Sequence, residues 1–392
     1  MLDTEFAPWP CYSKEESEII SSVLLSNRVN YWTGERGRTF ERDFADYVGA
    51  RHAVALANGT LALELALRAL NIGPGDEVVV TPRSFVASVS AVVMVGAIPV
   101  FADVDKNTQN LCPATIRPVL SERTRAIIAV HLAGWPCDMD GLMALAEEHR
   151  MFVIEDCAQS HGARYRGRSV GALGHVAAWS FCQDKIVTTG GEGGMVTTND
   201  AQIWRFAWEF KDHGKSWDAV QQARNATGYR WLHESFGSNW RMTEMQAAIG
   251  SYQLTCLDDW HAARRENAQR LKAAFDRFPA AVRIPMPPDD IDHAWYRFYV
   301  FLIPESLNAG WSRNRILEEI RRQGVPCGPG SCSEIYLEKA FDGTGYRPRE
   351  RLPIARELGE TSMMFLVHPT LTDRDMTKAV EVIDRVMSLA TI

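Results

Sequence analysis

Between residues 53 and 156, runs of apolar residues alternate between two periods. "AVALA" (Ala53–Ala57) is continuous and of strand length, whereas "LALELALRAL" (Leu61–Leu70) repeats its leucines at helical spacing and closes at Gly73. "EVVV", "IPVFADV", "RAIIAVHL" and "FVIED" repeat the strand type, with the helical "DGLMALAEEHR" between the last two. Strand, helix and strand at this spacing demand crossover connections, hence an α/β fold with a mostly parallel sheet flanked by helices. Such sheets gather ligands at the carboxyl ends of their strands. Asp156 stands at one predicted end, and Asn58-Gly59-Thr60 at another.

Ser84–Ala102 carries no charge and has the length of a membrane span. Gly96 and Pro99 interrupt it, so the reading is a buried helix ending near Gly96 and a strand through Val100. After Gly194 the pattern changes to a short strand, "MVTTN", and a helix around Ile203–Lys211. A polar, aromatic-rich stretch follows from His213 to Trp240. A long helix is predicted from Met242 to about Phe275, with Thr243 as its cap and Gly250 as its weak point. "RFYVFLI", "RNRILEEIRRQG" and "DMTKAVEVIDRVMSLA" then read as a smaller C-terminal α/β domain. The division is a large domain over 1–255 and a small one over 256–392, with the boundary inside the long helix.

Composition narrows the partners. With 392 residues, 46% of them hydrophobic and 23% charged, the chain reads as soluble and globular, with more than one core. A net charge of -7 argues against nucleic acid, whose phosphates need a basic surface. Eight cysteines without a C-x-x-C, behind an N-terminus lacking a basic-then-apolar pattern, point to free thiols in the cytoplasm. No membrane partner and no metal are expected, since Cys327 and Cys332 lack a partnering ligand pair. "HGKSW" is not a phosphate-binding P-loop, because Glu209 stands where glycine is required. "GPGDE" follows a helix and is a turn. Asn58 and Asn225 begin glycosylation sequons that no secretion signal supports.

Three local features carry chemistry. The Gly59-Thr60 pair between strand and helix can present N–H groups to a phosphate, or Thr60 can simply cap the helix. Asp156 closes a buried strand, with Gln159 and His161 following, and either binds a ligand or caps the next element. Lys185, in "SFCQDKIVTTGGEGGMV", is either a solvated lysine or a buried nucleophile with a pKa drawn below about 10.4. One ligand unites them. Pyridoxal phosphate needs a lysine for its aldehyde, a carboxylate for its ring nitrogen and an anion site at a helix start.

The ordered motifs "FERDFADYVGARHAVALANGTLALELAL", "GPGDEVVVTPRSFVAS", "VHLAGWPCDMD", "VIEDCAQSHGA", "SFCQDKIVTTGGEGGMV" and "GSNWRMTEMQAAIGSYQL" span nearly the whole chain. In them the sequence resembles the DegT/DnrJ/EryC1/StrS family of sugar aminotransferases, which have the fold type I architecture of aspartate aminotransferase. The resemblance implies that Lys185 condenses with the aldehyde of pyridoxal 5'-phosphate and later shuttles the proton. It further implies that Asp156 pairs with the ring nitrogen, Gln159 with the ring hydroxyl, and Phe85 with the ring face. Gly59, Thr60 and Ser180 hold the phosphate, and Asn239 reaches it from the partner subunit, making a homodimer with a composite site. Trp240 and Arg241 otherwise read as packing and a surface charge. Gln183-Asp184 departs from the Pro-Thr or Pro-Ser pair of many relatives, and this acid beside Lys185 either alters the lysine's proton affinity or points to solvent; Leu-Val departs from the Leu-Pro before His368. Lys185 argues against the branch in which histidine replaces this lysine.

The implied reaction is amino transfer, with glutamate as donor, onto a nucleotide-linked keto sugar for polysaccharide or amino-sugar synthesis. An aminocyclitol or other keto substrate is the alternative within the family. A cofactor-binding regulator without turnover is the alternative outside it.

Overall fold

The apolar runs become seven strands: β1 (His52–Leu56), β2 (Glu77–Val80), β3 (Ile98–Phe101), β4 (Thr124–Val130), β5 (Phe152–Asp156), β6 (Val176–Ser180) and β7 (Gly194–Thr198). The computed structural model describes residues 5–222 and 228–392, so the Asn225 sequon and part of the His213–Trp240 stretch lie outside the described residues. The strands form one sheet in the order β1-β7-β6-β5-β4-β2-β3. β7 alone is reversed, pairing antiparallel with both β1 and β6, while the remaining pairs are parallel. Helices cover the sheet: α1 (Lys14–Leu25), α2 (Arg36–Val48), α3 (Gly59–Ala69), α4 (Ala87–Met94), α5 (Met139–His149) and α6 (Ala201–Phe210). Parallel strands buried on both faces need to be apolar throughout, which is why β2 reads "EVVV" without alternation.

Two local expectations shift. Helix α3 begins at Gly59 because Asn58 is its cap, its Oδ1 accepting from the Leu61 N–H at 3.0 Å. Thr60 therefore has no capping duty. The uncharged Ser84–Ala102 stretch does break, as α4 to Met94, Gly96 at φ +80°, and β3. Among the described residues no helix is long and apolar enough to cross a membrane.

Helix α7 (Glu244–Phe275) runs for 32 residues from a capping box made by Thr243 and Gln246. Beyond it lie β8 (Val282–Arg283), β9 (Phe298–Leu302), α8 (Arg313–Arg322), β10 (Cys327–Gly328), β11 (Ser362–Phe365) and α9 (Asp373–Ala390). These four strands form an antiparallel sheet in the order β8-β9-β11-β10. A second apolar core forms between this sheet, α8, α9 and the later turns of α7. The two cores exchange segments: Phe6 packs against the second, whereas Ile335, Tyr336 and Phe341 join the first.

Gly250 does not weaken α7, which continues through it. A Cβ there would stand 2.5 Å from the Phe40 ring of α2, so the glycine allows the two helices to touch. Alanine normally stabilises a helix relative to glycine by about 1 kcal/mol. Here overpacking against Phe40 dominates, and Gly250→Ala is expected to destabilise the protein by about 1–3 kcal/mol. A denaturant midpoint equal to or above wild type would refute this tight contact.

Candidate active site

The carboxyl ends of the parallel strands bring the candidate residues to one edge. Asp156 is the last residue of β5, in register with Val130 of β4 and Ala178 of β6, so it lies mid-sheet and is only 4% exposed. Its carboxylate accepts from Ser88 Oγ at 2.7 Å and from the Ala158 N–H at 3.1 Å. Burial raises its pKa against the opposing pull of those two donors and the charges of Lys185 and His131. Asp156 does not cap an element in the usual sense; it is a desolvated carboxylate lacking a close cationic partner in hydrogen-bond contact. Three residues on, Gln159 is buried and its Oε1 accepts from the Ala133 N–H at 2.8 Å. His161 packs between Trp179 and Phe181, and burial, with the Lys185 and Arg264 charges, pushes it down to about 3. It is therefore neutral.

The β1–α3 junction meets the end of β6 without space for side chains. A Cβ on Gly59 would lie 2.6 Å from Ser180 Cβ, and one on Gly194 would lie 2.2 Å from the Asn58 carbonyl oxygen. Glycine at both positions brings the start of α3 against Ser180, leaving the first N–H groups of an eleven-residue helix with the Thr60 and Ser180 hydroxyls. Phe181, next in the chain, is clamped by Phe40 and Phe44 of α2 at ring distances of 5.3 and 5.4 Å. Phe85 lies in the segment between β2 and α4 and is 67% exposed.

Lys185 lies in the turn after β6. Its Nζ stands 3.7 Å from Asp184 Oδ1 and 5.2 Å from the centre of the Tyr296 ring. The Trp9 indole N–H donates to its carbonyl oxygen at 2.8 Å. The lowered lysine pKa expected from sequence is not what the surroundings produce. Burial pushes the ammonium down, but Tyr296, Asp184 and Cys182 together outweigh it and hold its pKa above the ordinary lysine value.

Asn239 is exposed and shares a backbone bridge with Asp212. The Trp240 carbonyl accepts from the Ala57 N–H at 2.9 Å and Arg241 bridges Leu56, so this segment lies along the end of β1. Arg241 is a buried-side ion pair rather than a surface charge, its Nη1 2.5 Å from Asp212 Oδ1. Trp240 packs on Phe210, as its packing alternative had it. Ser88, Tyr296, Arg297 and Trp9 were not foreseen as site residues. Trp9, Ser88 and the adjacent pair Tyr296-Arg297 come from three segments far apart in the chain, so only the fold unites them.

The residues fit pyridoxal phosphate. A desolvated carboxylate, a buried lysine and a glycine-made helix start at one sheet edge are the three contacts its ring nitrogen, aldehyde and phosphate require. A second cluster has a structural explanation. His131, Glu155 and Cys157 lie close enough for a metal, but the Glu155 carboxylate already accepts from the N–H groups of Gly171, Leu173 and Gly174 and bonds His131 Nε2. His131 Nδ1 accepts from the Cys137 N–H, which leaves Nε2 as the donor to Glu155.

Known proteins are similar to this chain over 67% to 98% of its length. The solved aminotransferase from Psychrobacter cryohalolentis is 57% identical, with a TM-score of 0.97 over 98% of this chain and 99% of that one. GDP-perosamine synthase of Caulobacter vibrioides is 34% identical over 359 residues, covering 91% of this chain and 92% of the synthase. L-glutamine:2-deoxy-scyllo-inosose aminotransferase of Streptomyces fradiae is 42% identical over 272 residues, 67% of this chain and 64% of that enzyme. The sequence profile of one family matches residues 10–384, and with the geometry above it places the chain in the DegT/DnrJ/EryC1/StrS aminotransferase family.

Proposed function

We propose that this aminotransferase moves an amino group from an amino acid onto a nucleotide-linked keto sugar, using Lys185 and Asp156 on pyridoxal phosphate. The observation that carries the reading is the desolvated Asp156 carboxylate at the centre of the sheet edge, on the same edge as a buried lysine. When bound, the cofactor supplies an aldehyde that exchanges amines and a ring that withdraws electrons. Asp156 keeps the ring nitrogen protonated, and Ser88 fixes the carboxylate's direction. The Oε1 of Gln159 is occupied by Ala133, which leaves its amide hydrogens to donate to the ring hydroxyl. Gly59, Thr60 and Ser180 receive the phosphate, and Phe85 covers the ring face. Lys185 would hold the aldehyde, and its Nζ would carry the transferred proton.

The relatives support the substrate class: a GDP-perosamine synthase is similar over nearly the whole chain. A specific observation favours a second reading, since a similar enzyme is named for 2-deoxy-scyllo-inosose, a cyclitol ketone, and takes L-glutamine. Nucleotide keto sugars and cyclitol ketones, each offered with L-glutamate and with L-glutamine, separate the two. Amination of nucleotide keto sugars is the expected result. Amination of cyclitol ketones alone selects the second reading. If neither donor converts bound cofactor to its amine form, catalysis is refuted and a cofactor-binding regulator is left.

A homodimer with Asn239 completing the neighbour's site fits the exposed apolar side chains beside it. Tyr229, Trp231 and Phe236 are 79%, 83% and 100% exposed, an unusual concentration for a surface that stays in water. The division near residue 255, within α7, is supported by the seven-stranded sheet lying before it in sequence and the four-stranded sheet after it. Eight free cysteines suit a reducing cytoplasm.

Three outcomes test the residue roles. Borohydride reduction followed by peptide mapping is expected to place the pyridoxyl group on Lys185. Lys211 and Lys215 are tied to Glu41 at 2.7 Å and Asp212 at 3.0 Å, and a label on either overturns the assignment. Asp156→Asn is expected to keep the cofactor and lose roughly a hundredfold in kcat, the scale of one electrostatic contact made in the transition state. Activity within a fewfold of wild type reduces Asp156 to a packing residue. Finally, Lys185→Ala and Asn239→Ala homodimers, each impaired, should recover towards about a quarter of wild-type activity after subunit exchange, because half the dimers then hold one intact site. Verified exchange without recovery rejects the composite site.

A further inference from the structure

The acid beside Lys185 does not point idly into solvent. Asp184 Oδ2 accepts from the Tyr296 hydroxyl at 2.5 Å and lies 3.6 Å from Arg297 Nη2, while Oδ1 faces Lys185 Nζ at 3.7 Å. Tyr296 is buried, and two cations stand near its ring, Lys185 Nζ 5.2 Å and Arg297 Cζ 4.1 Å from its centre. Burial is the largest influence on the phenol and raises its pKa; its hydroxyl donates to the Asp184 carboxylate, so at neutral pH Asp184 carries the negative charge and the phenol adds to it as the lysine titrates at higher pH. With Oδ2 engaged by the phenol and the guanidinium, Oδ1 is the oxygen left for the lysine. Asp184 and Lys185 follow β6 of the first sheet, whereas Tyr296 and Arg297 precede β9 of the second. The cluster is thus built from segments more than a hundred residues apart rather than by neighbours in one turn.

We propose that Asp184, braced by Tyr296 and Arg297, is a positioning residue that holds the proton on the Lys185 side-chain nitrogen. The inference rests on the reading of Lys185 as the lysine that takes the cofactor. The other charged or titratable groups near this nitrogen are Cys182 in the same turn, and Asp156 and His161 from the end of β5 and its turn. Asp156 is directed to Ser88 and Ala158, and His161 is neutral. Asp184 is therefore the acid set to compensate the Lys185 charge. Removing that charge while keeping the side chain's shape makes the nitrogen release its proton at lower pH. Restoring the charge with one more methylene restores most of the effect.

The measurement is the pH titration of the visible absorption of protein-bound pyridoxal phosphate, read with the holoenzyme and independent of turnover. Asp184→Asn is expected to lower the midpoint by about one unit, a tenfold loss of proton affinity, at the low end for an opposite charge nearby because Asp184 is half exposed. Asp184→Glu should stay within about threefold of wild type. In a Tyr296→Phe background the Asp184→Asn shift should fall to less than half, because the acid is no longer braced. As a second measurement, cofactor-free Asp184→Asn should take up pyridoxal phosphate faster than wild type near neutral pH, since the neutral amine is the form that attacks an aldehyde. An unmoved midpoint and unchanged uptake in Asp184→Asn overturn the proposal. A shift of equal size with and without the Tyr296 hydroxyl overturns the bracing role. If wild type itself shows no visible band on adding pyridoxal phosphate, the assignment of Lys185 fails first, a result distinct from either.

Discussion

A carboxylate held at the dry centre of a sheet edge is the constraint on which the remainder depends. Desolvating Asp156 is unfavourable, and Ser88 with the Ala158 N–H offsets only part of it. The position cannot be relieved by turning the side chain outward, because Val130 and Ala178 flank it in register on both sides. A folded chain that keeps a charge in such a place does so where a cationic ligand atom completes it. In the proposed reading, the protonated ring nitrogen of pyridoxal phosphate is that atom.

In the proposed reading, the opposite end of the cofactor is served by backbone approach. Gly59 against Ser180 and Gly194 against Asn58 leave no room for a methyl group, so the first turn of α3 is held against the ends of β6 and β7. Behind them, an aromatic cluster fixes β6: Phe44 meets Trp179 at 5.0 Å, and Phe40 and Phe44 meet Phe181. Gly250 allows α7 to press Phe40 into that cluster. A long helix with a glycine in its second turn, an N-terminal helix and an anion site are thus parts of one packing problem. Rigid support of this kind is what holds reacting groups in productive geometry.

Lys185 joins the two cores. Its carbonyl is tied to Trp9, whose ring packs on Trp260 and His368, while its side chain faces Asp184 and Tyr296. Pro8, beside Trp9, accepts from Thr370 of the C-terminal region at 2.7 Å. The N-terminal segment, the second core and the β6 turn thus converge on one residue. Relative movement of the cores would be felt at the lysine through both its peptide and its ammonium group.

Much of this was written into local sequence. Continuous apolar strands, helical leucine spacing and their alternation determined the parallel sheet, because strands buried on both faces admit few polar residues. The strand-end positions of Asp156 and Gly59-Thr60 followed from the same pattern, and the ordered motifs named the family. Asn58 as the true cap, and Gly250 as a contact rather than a weak point, were not legible, since both depend on which neighbours touch. Nor was the proton affinity of Lys185. From sequence, burial set the expected direction, downward, and the effect of the adjoining Asp184 was left open. Folding brings Tyr296 from more than a hundred residues away to the half-exposed Asp184, and together with Cys182 they outweigh desolvation of the lysine. Periodicity is a property of adjacent residues and survives in one dimension. The charge state of a buried group is a sum over everything near it in space, and only the tertiary structure decides that.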